Sequence, residues 1–207
     1  MDADELFIYP GIETKNIEYY IDYLERKKIK SAFSPMIDMY SNKKLFNGNS
    51  EINNILEEYC YFDTDTYNNE KQLVRQFVTG GPRMRLFGKS NTNSKYPLIK
   101  LSKEMLIGTH ENHPYKYNQM SNGATAFLLH YKFLSNDEKK YRENASGNLY
   151  GQNFMYQMYM KTYDQNPDIS FYYDGSRKLN SSFDLLEINI IDRKFFKQFF
   201  KFAAIVE

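Results

Sequence analysis

The sequence predicts an α/β fold in which a mixed sheet is followed by C-terminal helices. Short apolar runs of strand length alternate with segments whose apolar residues recur at helical spacing. The 207 residues are 42% hydrophobic and 17% aromatic, a content too high for a disordered chain. The chain shows no internal repeat and no low-complexity linker, so we expect one domain over residues 1–207.

Each predicted element follows from the period of its apolar residues and from the turn residues at its ends. The first elements are a strand at 7–9, a helix that Thr14 caps and that covers Ile17 to Leu24, and a strand at 31–40. A polar excursion at 41–72 follows and contains a short helix at 52–59. Next come a strand at 83–87, which pairs with 97–101 in a hairpin, and a strand at 105–108. The elements of the second part are a strand at 124–133, helices at 137–144 and 149–163, a loop at 167–177 and a helix at 192–206. Pro35 has no backbone N–H, so it places the strand at 31–40 on a sheet edge or at a bulge.

The last predicted helix is amphipathic. Phenylalanines 195, 196 and 199 lie on one side, and lysines 194, 197 and 201 lie on the other. Docking on the sheet is the favoured interpretation, because amphipathic core helices are common. Peripheral contact with an anionic membrane surface is the alternative.

Composition excludes several classes of protein. Lys and Arg total 27 and Asp and Glu total 26, a net charge of +1, which argues against a nucleic-acid-binding protein held by bulk charge. The single cysteine, Cys60, excludes an internal disulfide framework. No apolar run approaches the roughly 18 residues that span a bilayer. The start MDADEL has no features of a secretory signal, so the expected location is the cytoplasm.

Three groups of residues are candidates for chemistry. Asp2 and Asp4 precede an apolar run, and carboxylates are ligands that Mg²⁺ and Mn²⁺ prefer; a charged, frayed chain end is the alternative. His110 follows a predicted strand and suits a metal or a phosphate, whereas His130 lies in an apolar run and is favoured as a buried core histidine.

Arg83 and Arg85 are the third group. Two residues apart on a strand, they would share one face and could bind a phosphate or carboxylate through two guanidinium groups. Surface arginines on an exposed hairpin are the alternative. The sequence contains no GxGxxG, GxxxxGK[ST], HExxH or GxSxG motif.

The string DADELFIYPG, followed by a helix and by MIDMYS, resembles the DxD-containing part of bacterial family 2-like glycosyltransferases with a GT-A fold. The resemblance runs in order from residue 2 to about residue 190. Its further segments are Phe62-Asp63 with Tyr67, Gly80 to Gly88, Pro97-Leu98, Thr109-His110, Leu128 to Phe133, and PDISFYYDGSRKLNSSFDL at 167–185. The ordered set is more specific than any one segment.

The resemblance implies metal-dependent transfer of a sugar, with inversion, from a nucleotide-sugar donor to a glycan or lipid-linked acceptor. It implies Mn²⁺ or Mg²⁺ at the DxD motif, where the ion stabilises the departing nucleotide diphosphate. The implied metal ligands are Asp2, Asp4 and His110. The implied donor-binding residues are Asp2, Arg83, Arg85 and His130. The catalytic base comes from Asp38, Asp63 or Glu111.

In that family a nucleotide-binding half precedes the DxD motif. The resemblance therefore implies that residues 1–207 are the acceptor-side, C-terminal part of a partial GT-A domain, with a complementing N-terminal half as a candidate partner. Two other functions remain open from the residues. One is a non-catalytic module that binds a glycan or a protein, and the other is a Mg²⁺-dependent phosphate-ester hydrolase that uses Asp2, Asp4 and His110.

Overall fold

A computed structural model describes residues 2–46, 52–89, 92–108, 110–118, 120–147 and 153–204, which form a mixed α/β structure. The strands are β1 (Glu5–Ile8), β2 (Ser34–Asp38), β3 (Tyr61–Phe62), β4 (Tyr67–Gln72), β5 (Arg75–Gly80), β6 (Ser94–Lys95), β7 (Leu106–Ile107), β8 (Asn112–His113), β9 (Phe127–His130) and β10 (Arg177–Lys178). The α-helices are α1 (Ile17–Arg26), α2 (Ile55–Glu58), α3 (Pro82–Phe87), α4 (Glu138–Ser146), α5 (Asn153–Gln165) and α6 (Arg193–Ala203). Short 3₁₀ helices cover Tyr115–Tyr117 and Ser182–Glu187.

The central sheet is mixed and has the strand order β1-β9-β2-β6. β9 pairs antiparallel with β1 and parallel with β2. All four residues of β9 are buried, because the strand is rich in apolar side chains and has a neighbour on each side. The register places His130 opposite both Glu5 and Asp38. Directly opposed residues project from the same face of a sheet, so these three side chains form one row.

The main core lies between the sheet, α1 and α6. Tyr9 stacks on Tyr20 with ring centroids 4.3 Å apart, and the Phe199 ring meets the edge of Tyr20 at 5.8 Å. The phenylalanine face of α6 is buried here and its lysine face is exposed. The prediction of a docked C-terminal helix is thus confirmed, and Asp192 caps it by accepting from the backbone N–H of Phe195.

A second aromatic cluster lies between α3, α4 and α5. Phe133, at its centre, packs on Phe171 with ring centroids 4.9 Å apart and on Tyr159 at 5.2 Å. The cluster holds α5 against α3, which carries the two candidate arginines. No described helix has both the length and the apolar content needed to cross a membrane.

The predicted strand at 83–87 is wrong, because this segment is helix α3. Pro82 sits in the first turn, where its fixed φ suits a helix, and Gly88 ends the helix in the left-handed conformation. The predicted hairpin with 97–101 is consequently wrong as well. Instead β6 pairs antiparallel with β2, and β5 forms its hairpin with β4. Strand β4 lies in the segment 41–72, which was expected to be a polar excursion, and β5 follows directly after that segment.

Smaller differences concern element ends. β2 is an inner strand over Met36–Asp38, where it pairs with β9. Pro35 pairs only with Ser94 of β6, so it lies where β2 has a paired neighbour on one side. Asn16, rather than Thr14, caps α1 by accepting from the backbone N–H of Tyr19 at 3.1 Å. Residues 149–152 and 205–206 of two predicted helices lie outside the described residues.

Candidate functional site

A cleft of about 580 Å³ opens at the end of the sheet where β2 and β9 finish. The row formed by Glu5, His130 and Asp38 lies at this end because of the strand register. Most of the side chains that line the cleft are charged or polar. They are Asp2, Glu5, Met36, Arg75, Arg83, Thr92, Ser94, Lys95, His110, Glu111, His130 and Lys132.

A buried ion pair lies beneath the cleft. Arg83 donates through Nε to Asp38 Oδ2 at 2.7 Å and through Nη2 to Asn93 Oδ1 at 2.7 Å. Both Arg83 and Asp38 are only 3% exposed in their side chains. Burial raises the pKa of Asp38, but Arg83 and His130 outweigh it and lower that pKa to about 2. Asp38 is therefore an ionised carboxylate that holds its two neighbours in place.

His130 connects this ion pair to the cleft. Its Nδ1 lies 2.7 Å from Asp38 Oδ1, and its Nε2 lies 3.5 Å from Asp4 Oδ2. Burial lowers the pKa of His130, while the hydrogen bonds to Asp38 and Asp4 raise it, with a net shift upwards. The contact with His130 is the main cause that lowers the pKa of Asp4 to about 2. Asp38 thus fixes the orientation of a ring whose second nitrogen faces a carboxylate.

Asp4, Glu5 and His130 form a cluster with metal-ligand character. One oxygen from each carboxylate and one ring nitrogen all lie within 4.8 Å of one another. A histidine that ligates a metal usually has its other nitrogen bound to a carboxylate, as His130 has with Asp38. The oxygen and imidazole donors of this cluster suit Mn²⁺ or Mg²⁺.

Lys95 neutralises the carboxylates on the other side of the cluster. Its Nζ lies 2.7 Å from Asp2 Oδ2 and 2.5 Å from Glu5 Oε1. Burial lowers the pKa of Lys95, but the hydrogen bonds to Asp2 and Glu5 outweigh it and raise the pKa. The Lys95 ammonium therefore competes with any cation for the Glu5 carboxylate.

Lys132 is a cleft-lining cation of a different kind. It follows His130 by two residues and is partly buried. Within the described part of the chain no carboxylate lies within 4.0 Å of its ammonium, which sits 5.4 Å from the centre of the Tyr156 ring. Burial and the charge of Arg83 lower the pKa of Lys132. The lysine thus contributes a positive charge to the cleft that no described ion pair neutralises.

The outer rim of the cleft carries Glu111 and His110. Glu111 accepts two hydrogen bonds from Arg75, at 2.9 and 3.0 Å, and its side chain is 19% exposed. His110 lies 3.1 Å from the Ser94 carbonyl oxygen through Nδ1 and is outside the cluster of Asp4, Glu5 and His130.

Asp63 and Arg85 form a separate site away from the cleft. Asp63 is buried and accepts from Arg85, from Tyr40 at 2.6 Å and from Thr66 at 2.8 Å. The expectation that Arg83 and Arg85 share a face is wrong. They lie on a helix, where residues i and i+2 point about 200° apart around the axis. The Arg85 guanidinium stacks over the Tyr173 ring at 3.9 Å instead.

The structure brings most of the predicted site residues together and separates a few. Five of them line the cleft: Asp2, Arg83, His110, Glu111 and His130. Asp4 and Asp38 reach the cleft through their contacts with His130. Asp63 and Arg85 do not lie there, and Thr109 is outside the described residues.

Sequence reasoning missed Glu5, Lys95 and Lys132. Glu5 follows the DxD pattern directly, and Lys132 shares strand parity with His130, so both carried a detectable signal. The sequence carries no signal for Lys95, because its contacts with Asp2 and Glu5 depend on the pairing of β6 with β2.

Comparison with known proteins gives no family for this chain. No family model, no curated protein and no solved structure matches it.

Proposed function

We propose that the cleft binds a divalent metal together with the diphosphate of a nucleotide sugar, and that the protein transfers the sugar to a glycan or lipid-linked acceptor. The observation that carries the proposal is the cluster of Asp4, Glu5 and His130 beside the unneutralised cation Lys132. The sugar itself is inferred from the DADELFIYPG resemblance. The same resemblance supports a partial GT-A domain as the fold.

The donor groups fit a hard divalent cation. Asp4 and Glu5 supply carboxylate oxygens, and Asp38 keeps His130 Nδ1 engaged so that Nε2 faces the cluster. A metal held there would neutralise charge on the diphosphate as it leaves. Glu5 is already engaged at both oxygens, by Lys95 Nζ at Oε1 and by the backbone N–H of Asp2 at Oε2, which makes Asp4 and His130 the primary pair.

The cationic side chains supply the rest of the anion site. Lys132 faces the cleft without an ion-pair partner among the described residues, and a phosphate oxygen would provide one. The Arg83 guanidinium also lines the cleft, although Asp38 already balances its charge. Lys132 is accordingly the cation we assign to the donor phosphates.

Among the three predicted bases, Glu111 has the best access to an acceptor. Asp38 and Asp63 are buried, whereas the Glu111 side chain is 19% exposed. Glu111 lines the cleft, where its carboxylate can take the proton of an acceptor hydroxyl as that oxygen bonds to the anomeric carbon and the diphosphate departs. The hydrolase alternative is less well supported, because His110 does not approach Asp4.

Calorimetry with Mn²⁺ tests the metal site, and release of nucleoside diphosphate from a panel of UDP- and GDP-sugars tests the reaction. We expect Mn²⁺ binding in the native chain, a loss of at least about tenfold in D4N and H130Q, and unchanged binding in D168N, which alters an exposed carboxylate. Absence of Mn²⁺ binding would overturn the metal site. Metal binding without turnover of any sugar nucleotide would favour a non-catalytic glycan- or protein-binding module.

A further inference from the structure

Two neighbouring segments expose aliphatic side chains to an unusual degree. The first is the tip of the β4–β5 hairpin at residues 73–74, and the second runs from residue 101 to the end of β7 at residue 107. The four most exposed large apolar side chains of the described residues belong to them, with Val74 adjacent. They are Leu73 at 98%, Leu106 at 73%, Leu101 at 70% and Ile107 at 65% of full exposure.

Polar contacts connect the two segments through residues 111–117. Arg75, at the base of the hairpin tip, pairs with Glu111 through two hydrogen bonds and lies 5.6 Å from the centre of the Tyr115 ring. On the other side, the Ser102 hydroxyl lies 3.1 Å from the Tyr117 hydroxyl. The stretch around 115–117 therefore supports both segments. Since Arg75 and Glu111 also line the cleft, this surface adjoins its rim.

A leucine at the tip of the β4–β5 hairpin does not stabilise the fold. Leu73 has a φ of 30°, in the positive region that favours glycine or asparagine. It is also almost fully exposed, so it contributes no buried area to the folded chain. A residue that is unfavourable both in backbone conformation and in exposure points to a function outside the fold.

The charge around these tips favours an anionic occupant. Residues 71–75 and 100–107 contain four Lys and Arg residues against one carboxylate. Two of the four, Arg75 and Lys100, already pair with Glu111 and Glu25. Within the described residues, Lys71 and Lys103 have no carboxylate at ion-pair distance. Aliphatic side chains that protrude beside lysines match the interface of an anionic bilayer, where apolar burial and attraction to lipid phosphates act together.

We propose that this surface, formed by 71–75 and 100–107, docks the protein on an anionic lipid bilayer beside the rim of the cleft. The surface is distinct from the lysine face of α6. It does not depend on the proposed reaction, and it would present a lipid-linked molecule next to the cleft.

Vesicle sedimentation with the full chain tests the proposal. The probes are phosphatidylcholine vesicles with and without phosphatidylglycerol. We expect binding to the anionic vesicles that weakens with salt and that falls about tenfold or more in L73S/V74S and in L106S/I107S. Because these side chains are exposed, the variants should keep the native circular dichroism.

Two matched variants complete the design. L56S alters a 52% exposed leucine elsewhere, and K194Q/K197Q alters the α6 lysine face; both should bind like the native chain. Absence of vesicle binding, equal binding to neutral vesicles, or loss only in K194Q/K197Q would overturn the proposal. Concentration-dependent dimers that L73S/V74S abolishes, without vesicle binding, would assign the surface to self-association instead.

Discussion

Replacement of Asp38 by asparagine should destabilise the protein by about 3–5 kcal/mol at neutral pH, the usual cost of breaking a buried ion pair by removing one partner. The change preserves shape but removes the charge that balances Arg83, whose side chain is 3% exposed. The asparagine amide would also place N–H donors toward Arg83 Nε or His130 Nδ1, which already donate at 2.7 Å. Both effects leave a buried cation without its partner.

The pH dependence follows from the pKa of Asp38, which falls from 3.8 to about 2. A lowered pKa contributes stability that is fully present above the unfolded value and is lost as pH falls through the folded value. The shift corresponds to about 2 kcal/mol. The native chain should therefore lose this contribution below about pH 4, and its stability advantage over D38N should narrow there.

Urea unfolding followed by circular dichroism, from about pH 7 to about pH 3, measures both effects. D168N is the matched control, because its pair with Lys44 is 2.6 Å long but well exposed, and it should cost less than about 1 kcal/mol. A D38N variant as stable as D168N would refute the role of the buried pair. A stability difference that does not change with pH would refute the assignment of an ionised Asp38.

Three further predictions concern single side chains. K95M removes the cation that shields Asp2 and Glu5, so Mn²⁺ affinity in calorimetry should rise about tenfold or more; unchanged affinity would mean that Lys95 does not compete for Glu5. K132M should weaken the binding of Mn²⁺-UDP about tenfold or more without weakening Mn²⁺ binding alone, and a variant that binds both as the native chain does would remove Lys132 from the anion site. F199A should lower the free energy of unfolding by about 3–5 kcal/mol; a loss below about 1 kcal/mol would contradict docking of α6 in the core.

The sequence predicted the elements with a strong apolar period. α1, α6 and β9 lie where the spacing of their apolar residues placed them, because that spacing reflects burial directly. The prediction of a strand at 83–87 was wrong because five alternating residues fit a strand and a short helix equally well. There the local signal lies in Pro82 and Gly88, which set the start and end of α3.

The sequence predicted many of the residues of the candidate site, but not which of them contact one another. Asp4 and His130 were both candidates, yet their contact depends on the antiparallel register of β1 and β9. The His130 ring is both a buried side chain and a cleft residue, so the two interpretations of this histidine were compatible. Asp38 could be recognised as a candidate, but its role as the partner of Arg83 required the position of α3.

We expect a metal held by Asp4, Glu5 and His130 to govern the binding of a nucleoside diphosphate in the cleft. Calorimetric titration of the full chain with UDP and with GDP, first in EDTA and then with Mn²⁺, tests it most directly. We expect the binding of at least one of these nucleotides to require Mn²⁺ and to be lost in H130Q. Equal binding in EDTA, or Mn²⁺-dependent binding that H130Q leaves unchanged, would contradict it.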